Sequence, residues 1–141
     1  MKALKMILAV VLFILAGCAA RPIHPGTANK FDSSVYDVLL TTDRVIQSTK
    51  AELTNGTFPP NIQPGVKTAL NALIAAYNDA DILYCNPPPG AGPTDQCAAA
   101  SYHAQAIAGQ NTPATDAEMQ AKISTVNSAV TALATSKGAH N

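Results

Sequence analysis

Residues 31–54 read FDSSVYDVLLTTDRVIQSTKAELT, and the spacing of their apolar side chains decides the fold. Phe31, Val35, Val38, Thr42, Val45 and Thr49 recur at alternating steps of four and three, with Leu39, Ile46 and Leu53 widening the stripe. That is the period of an amphipathic helix with one buried face, and it predicts a first helix over 29–54. Asp32 and Asp37 fall towards its start, Asp32 close enough to favour the helix dipole, and Asn55-Gly56 supplies a left-handed stop. Phe58 and Ile62, in the connector that follows, are placed to fold back over the end of the core. Pro64 suits the first position of a second helix, in which Val66, Leu70, Leu73, Tyr77, Ala80 and Tyr84 repeat the same spacing beside Ile74.

Periodicity fails between Cys85 and Cys97, where Asn86, three consecutive prolines (Pro87, Pro88, Pro89), Gly90, Gly92 and Pro93 rule out a helix. Helix-forming composition returns over 98–108. It is read first as a resumption of the second helix beyond the loop, with a separate short fourth helix as the alternative. The final helix is assigned to 115–137, because Thr115-Asp116-Ala117-Glu118 has the form of a capping box and Met119, Ile123, Val126, Val130 and Leu133 keep the stripe. Together these elements predict an all-α domain over 29–137. The expected arrangement is an antiparallel three-helix bundle carrying a disulfide-closed, proline-rich loop, with 138–141 as a flexible carboxyl terminus.

Composition agrees with helices. Of 141 residues 48% are apolar, much of that alanine, while aromatics make up 5% and tryptophan is absent, a poor inventory for a sandwich or barrel. Nine basic side chains balance nine acidic ones, so no field steers the chain towards nucleic acid.

The first 28 residues have a different character. Lys2 and Lys5 precede an apolar run from Met6 to Ala20, which at 15 residues is shorter than the roughly 18 that span a bilayer. The run ends in Leu15-Ala16-Gly17-Cys18, which resembles the lipobox of bacterial lipoproteins, where a branched apolar residue and two small ones precede an obligatory cysteine. The resemblance implies a signal peptide over 1–17, cleavage before Cys18, and a diacylglyceryl thioether on the Cys18 sulfur, usually with a third chain such as palmitate on the new amino terminus. Two or three acyl chains, at about 0.8 kcal/mol per buried methylene, would then anchor the protein where one would not. Ala19, rather than aspartate, suggests sorting to the outer membrane by analogy with enteric lipoproteins, facing the periplasm of the cell envelope. Residues 18–28, with Pro22 and Pro25, form a tether reaching at most roughly 35 Å. The Phe31-Asp32-Ser33, Tyr36-Asp37 and Leu39-Leu40 run also resembles the opening of some short helical lipoproteins of no known activity.

With Cys18 lipidated, Cys85 and Cys97 remain. An even pair flanking a proline-rich loop outside the cytoplasm reads as a disulfide, closing a ring of about 13 residues for roughly 3 kcal/mol in the loop-entropy model. A metal centre would ask for closer cysteines or a histidine pair, whereas His24, His103 and His140 share no spacing. Asp79 and Asp81, two apart on a helix, face different directions and read as a solvated edge rather than an acid and base pair. No nucleophile is joined to a base in sequence, and no cofactor motif is present, so no enzymatic activity is expected. Two surfaces stand out for an envelope protein or cell-wall partner: the loop, through Asn86, Pro87, Pro88, Pro89 and Gln96, and the almost uncharged outer face of the last helix, through Ser124, Ser128 and Thr131. A small-ligand carrier is the alternative function, and it would need a cavity between helices.

Overall fold

In a computed structural model the chain is described over residues 26–85 and 97–138. The expected signal segment 1–17, Cys18, most of the expected tether, the loop residues Asn86, Pro87, Pro88, Pro89 and Gln96, and residues 139–141 lie outside the described residues. The described residues form four helices and no strand: α1 Lys30–Thr54, α2 Gln63–Tyr84, α3 Tyr102–Ile107 and α4 Pro113–Gly138. None of these helices is long and apolar enough to cross a membrane.

Each boundary has a local chemical cause. Asn29 opens α1 by accepting the Phe31 and Asp32 amide hydrogens on its side-chain oxygen, both at 2.9 Å, and so supplies partners for amides that have none inside the helix. Gly56 closes α1 with φ +68°, a left-handed conformation costly for any residue with a Cβ, and lets the Thr57 amide reach back to the Glu52 carbonyl at 3.0 Å. Entry to α2 has no side-chain cap; instead a turn at Pro59 brings the Ile62 amide onto the Pro59 carbonyl at 3.0 Å, and Gln63 donates its side-chain amide to the Phe58 carbonyl. Phe58 and Ile62 are buried at this corner.

Two boundaries differ from the sequence expectation. The 98–108 segment does not resume α2: Tyr84 ends that helix, and a separate short helix begins only after Ser101, whose extended backbone and hydroxyl cap the Ala104 amide. The reason is that Cys85 and Cys97 are disulfide-bonded with their Cα atoms 4.4 Å apart, so the chain re-enters beside the point where it left and not further along the α2 axis. Likewise α4 starts two residues before the expected capping box. Thr112 and Thr115 cap each other, the Thr112 amide donating to the Thr115 hydroxyl at 2.9 Å and the Thr115 amide to the Thr112 hydroxyl at 3.3 Å. Pro113 then occupies the first helical position, where its missing N–H and fixed φ are an advantage, and this outweighs the Thr115-x-x-Glu118 pattern downstream.

Helix α2 packs most extensively on α4 and next on α1, while α1 and α4 touch each other less. Val66, Leu73 and Ala80 of α2 have no exposed surface, nor do Met119 and Val126 of α4, and Val35, Leu39 and Ile46 of α1 complete the same core. The three apolar stripes read from the sequence therefore converge. At the end of the molecule where α1 stops, Lys137 of α4 pairs with Glu52, donates to the Thr49 hydroxyl at 3.1 Å and lies 5.6 Å above the Phe58 ring, tying α4 to α1 and to the connector.

Because Leu73 is wholly enclosed, Leu73→Ala should cost about 2–5 kcal/mol of unfolding free energy in urea titrations. Ile82, 58% exposed on the same helix, should tolerate alanine within about 0.5 kcal/mol.

Candidate functional site

The first turn of α1 carries a carboxylate into the interior. Asp32 is 0% exposed, and its donors come from three separate parts of the chain. The Ala28 amide, from the segment leading into α1, donates to Oδ2 at 2.7 Å. His103 of α3 places Nδ1 at 3.0 Å from both carboxylate oxygens. Since a carboxylate only accepts, Nδ1 carries the hydrogen and Nε2 is left as the second ring position. Tyr84, the last residue of α2, sets its hydroxyl 3.2 Å from the same Nδ1 and also hydrogen-bonds Asp32. His103, which stands alone in the sequence, is thus paired across 71 positions of chain.

An aromatic layer encloses these polar groups. The Tyr84 and Tyr102 rings stack with centroids 6.4 Å apart, Phe31 meets Tyr102 edge-on at 5.9 Å, and the His103 ring is 5.2 Å from Tyr84. Tyr102 donates its hydroxyl hydrogen bond to Asp116 of α4 at 2.7 Å. Burial first, then the Asp32 charge and hydrogen bond, push the Tyr84 hydroxyl far above its ordinary ionisation range; burial and Asp116 do the same for Tyr102. The arrangement of His103 on a buried carboxylate is the orientation a general base would need. Its hydrogen-bond partners are Asp32 of α1 and the Tyr84 phenol of α2, so the cluster ties three segments of chain together.

Beside this cluster lies the staple. The Ala98 amide donates to the Cys85 carbonyl at 2.9 Å, a backbone rung next to the disulfide that closes the foot of the 86–96 loop. Ser124, Ser128 and Thr131 of the last helix are exposed as expected. The same face shows a feature the sequence did not signal: the hydroxyls of Thr125, Ser128, Thr131 and Thr135 each donate to the carbonyl four residues back, at 3.0–3.1 Å. Asp79 is exposed as the solvated-edge expectation has it, whereas Asp81 is partly buried. Asp79 pairs with Lys122 of α4, and half-buried Asp81 is raised above the usual carboxylate range by burial and by Asp43 of α1. Tyr77, one turn before Asp81, is pushed up to about 12 by burial and then by the Asp81 and Asp43 charges. Among the described residues no group of three or more histidine, cysteine, aspartate or glutamate side chains is placed to hold a metal ion.

The sequence reading missed the Asp32–His103 pair. The one available signal was an aspartate on the apolar stripe: Asp32 stands beside Phe31 and three residues before Val35, on the side of α1 that turns inward. Comparison with known proteins adds no function, since the chain matches no family model, no curated protein and no solved structure.

Removing the carboxylate strands several buried donors, so Asp32→Ala should lower the unfolding free energy by roughly 3 kcal/mol. Asp79→Ala, at a side chain 64% exposed, should change it by less than about 0.5 kcal/mol in the same denaturation experiment. The tyrosines predict an alkaline limit. A phenol whose folded pKa lies above its unfolded value of 10.0 stabilises fully below that value and loses its contribution as pH rises towards the folded one. Stability should therefore fall between about pH 10 and 12 as Tyr77 titrates, and phenolate absorbance should appear at higher pH in native than in denatured protein.

Proposed function

We propose that this chain is a lipid-anchored protein of the bacterial cell envelope, acting as a non-enzymatic interaction module. The reading is carried by Leu15-Ala16-Gly17-Cys18 at the end of a basic and then apolar leader. Cys18, acylated, would hold the protein to the outer membrane on its periplasmic side, and the tether would set the helical domain off from the lipid surface. The disulfide between Cys85 and Cys97 supports an oxidising compartment, where such bonds persist.

The domain itself we take to be an antiparallel three-helix bundle of α1, α2 and α4, with α3 as a short cross-piece at one end. Its support is the sequence of cross-links: Asp32 with His103 at the start of α1, Asp79 with Lys122 between α2 and α4, and Glu52 with Lys137 where α1 stops. A partner in the envelope or cell wall would meet the proline-rich loop, whose Asn86, Pro87, Pro88, Pro89 and Gln96 hang from a covalent foot, or the α4 face around Ser124, Ser128 and Thr131. The loop is the preferred surface, because prolines and a ring closure lower the entropy lost on binding.

Cys18→Ala should leave an unprocessed precursor without acyl mass, whereas the parent chain should lose residues 1–17 and incorporate labelled palmitate. Recovery of parent protein with Met1 in place and no acyl group would end the lipoprotein reading. For the partner, photo-crosslinking groups in the loop or at Ser128 should capture one discrete envelope component in intact cells. Replacing 86–96 by a glycine-serine link, together with Cys85→Ser and Cys97→Ser, should abolish that capture if the loop is the contact; capture at neither surface would remove the interaction reading.

A further inference from the structure

The segment 97–111 crosses the end of the molecule as a strap, and almost none of its order is its own. Its helix, α3, is six residues long, far below the length at which a helix holds itself in water. Only Ser101, Tyr102 and Ala106 of the strap are buried, Ile107 is 60% exposed, and α3 packs chiefly on α2. Besides the packing of Tyr102 and Ala106 on the core and the contacts of Tyr102 and His103 with Phe31 and Tyr84, three attachments hold it: the disulfide and the Ala98–Cys85 rung at its entry, the His103–Asp32 contact in its middle, and the Tyr102–Asp116 hydrogen bond near its exit. The long helices do not depend on it in the same way. Their buried residues Val35, Leu39, Leu73, Met119 and Val126 lie outside the strap, and Lys122 and Lys137 cross-link them elsewhere.

We propose that the strap is a redox-controlled cover: with Cys85 and Cys97 oxidised it is docked over Asp32, Phe31 and Tyr84, and reduction of that disulfide by a dithiol releases it while α1, α2 and α4 stay folded. One thiolate of the dithiol attacks a cysteine sulfur and breaks the Sγ–Sγ bond, giving a mixed disulfide, and the second thiol then displaces the protein sulfur. Cys85 and Cys97 gain two electrons and two protons, and the dithiol becomes a disulfide. Release follows because the covalent bond that fixed the strap entry beside the end of α2 is gone, leaving Cys97 joined to Cys85 only through the chain between them. Undocking opens Asp32, His103 and Tyr102 to water, which replaces each lost hydrogen-bond partner, so it costs less than deleting the carboxylate from a closed structure and is offset by the chain entropy regained. The uncovered surface would be an aromatic and acidic patch at the start of α1, next to the segment that leads back to Cys18.

Hydrogen–deuterium exchange of the full chain, before and after dithiothreitol with alkylation to verify the thiols, tests this. Amides of 98–108 should exchange roughly 100-fold faster once reduced, as expected for opening a ring of this size, while those of α1, α2 and α4 change less than about threefold. The Cys85→Ser/Cys97→Ser chain should behave as the reduced protein without any reductant, and reoxidation of the parent should restore protection. Unchanged protection at 98–108 in reduced protein would overturn the proposal, because the strap would then be held without the disulfide. Equal acceleration across all four helices would overturn it too, since the disulfide would then be a global stabiliser.

Discussion

A carboxylate with no exposed surface must find every partner inside the protein, and Asp32 imposes that condition on one whole end of the fold. It takes hydrogens from the segment before α1, from the last residue of α2 and from α3. Three stretches of chain far apart in sequence must therefore arrive within hydrogen-bond distance of two oxygens. The aromatic rings of Phe31, Tyr84 and Tyr102 keep water away and so raise the penalty for any partner that is missing. The rest of the molecule is held by a less demanding force: apolar stripes on α1, α2 and α4 share one core, where approximate shape and correct period suffice.

That contrast explains which parts were legible in the sequence. The stripes of the long helices were readable because their period repeats within one element, and Val66, Leu70, Leu73, Met119, Ile123 and Val126 are buried where the spacing puts them. The pairing of Cys85 with Cys97 was readable because the two flank a helix-breaking loop, while the lipobox resemblance sets Cys18 apart from them. The start of α4 was misread through a competition between two local signals, each sound by itself. Thr112-Pro113 won because proline at the first helical turn costs nothing and threonine at the third position can return the cap. The Asp32–His103 contact belongs to a different class. Nothing within either neighbourhood specifies the other residue, and only the docking of α3 after the disulfide brings them together.

The two ends of the molecule are also secured by different chemistry. At the Asp32 end the contacts are buried, short and polar, and a covalent bond lies alongside. At the Lys137 end, a partly exposed ammonium serves Glu52, the buried Thr49 hydroxyl and the buried Phe58 ring at once, through non-covalent contacts alone. The first end therefore carries a covalent closure that the second does not. Under the lipoprotein reading, the covalently closed end is the one nearer the tether.

The outer face of α4 also behaves differently from what its composition implies. Thr125, Ser128, Thr131 and Thr135 look like a hydrophilic row that a partner would have to strip of water. Yet each hydroxyl hydrogen is already committed to a carbonyl of the same helix, at 3.0–3.1 Å. Covering the row would leave none of these four donors stranded, and the threonine methyls would supply apolar contact. The face can thus be dehydrated at a lower cost than a count of its polar residues suggests, and what it asks of a neighbour is closeness of fit rather than matching acceptors.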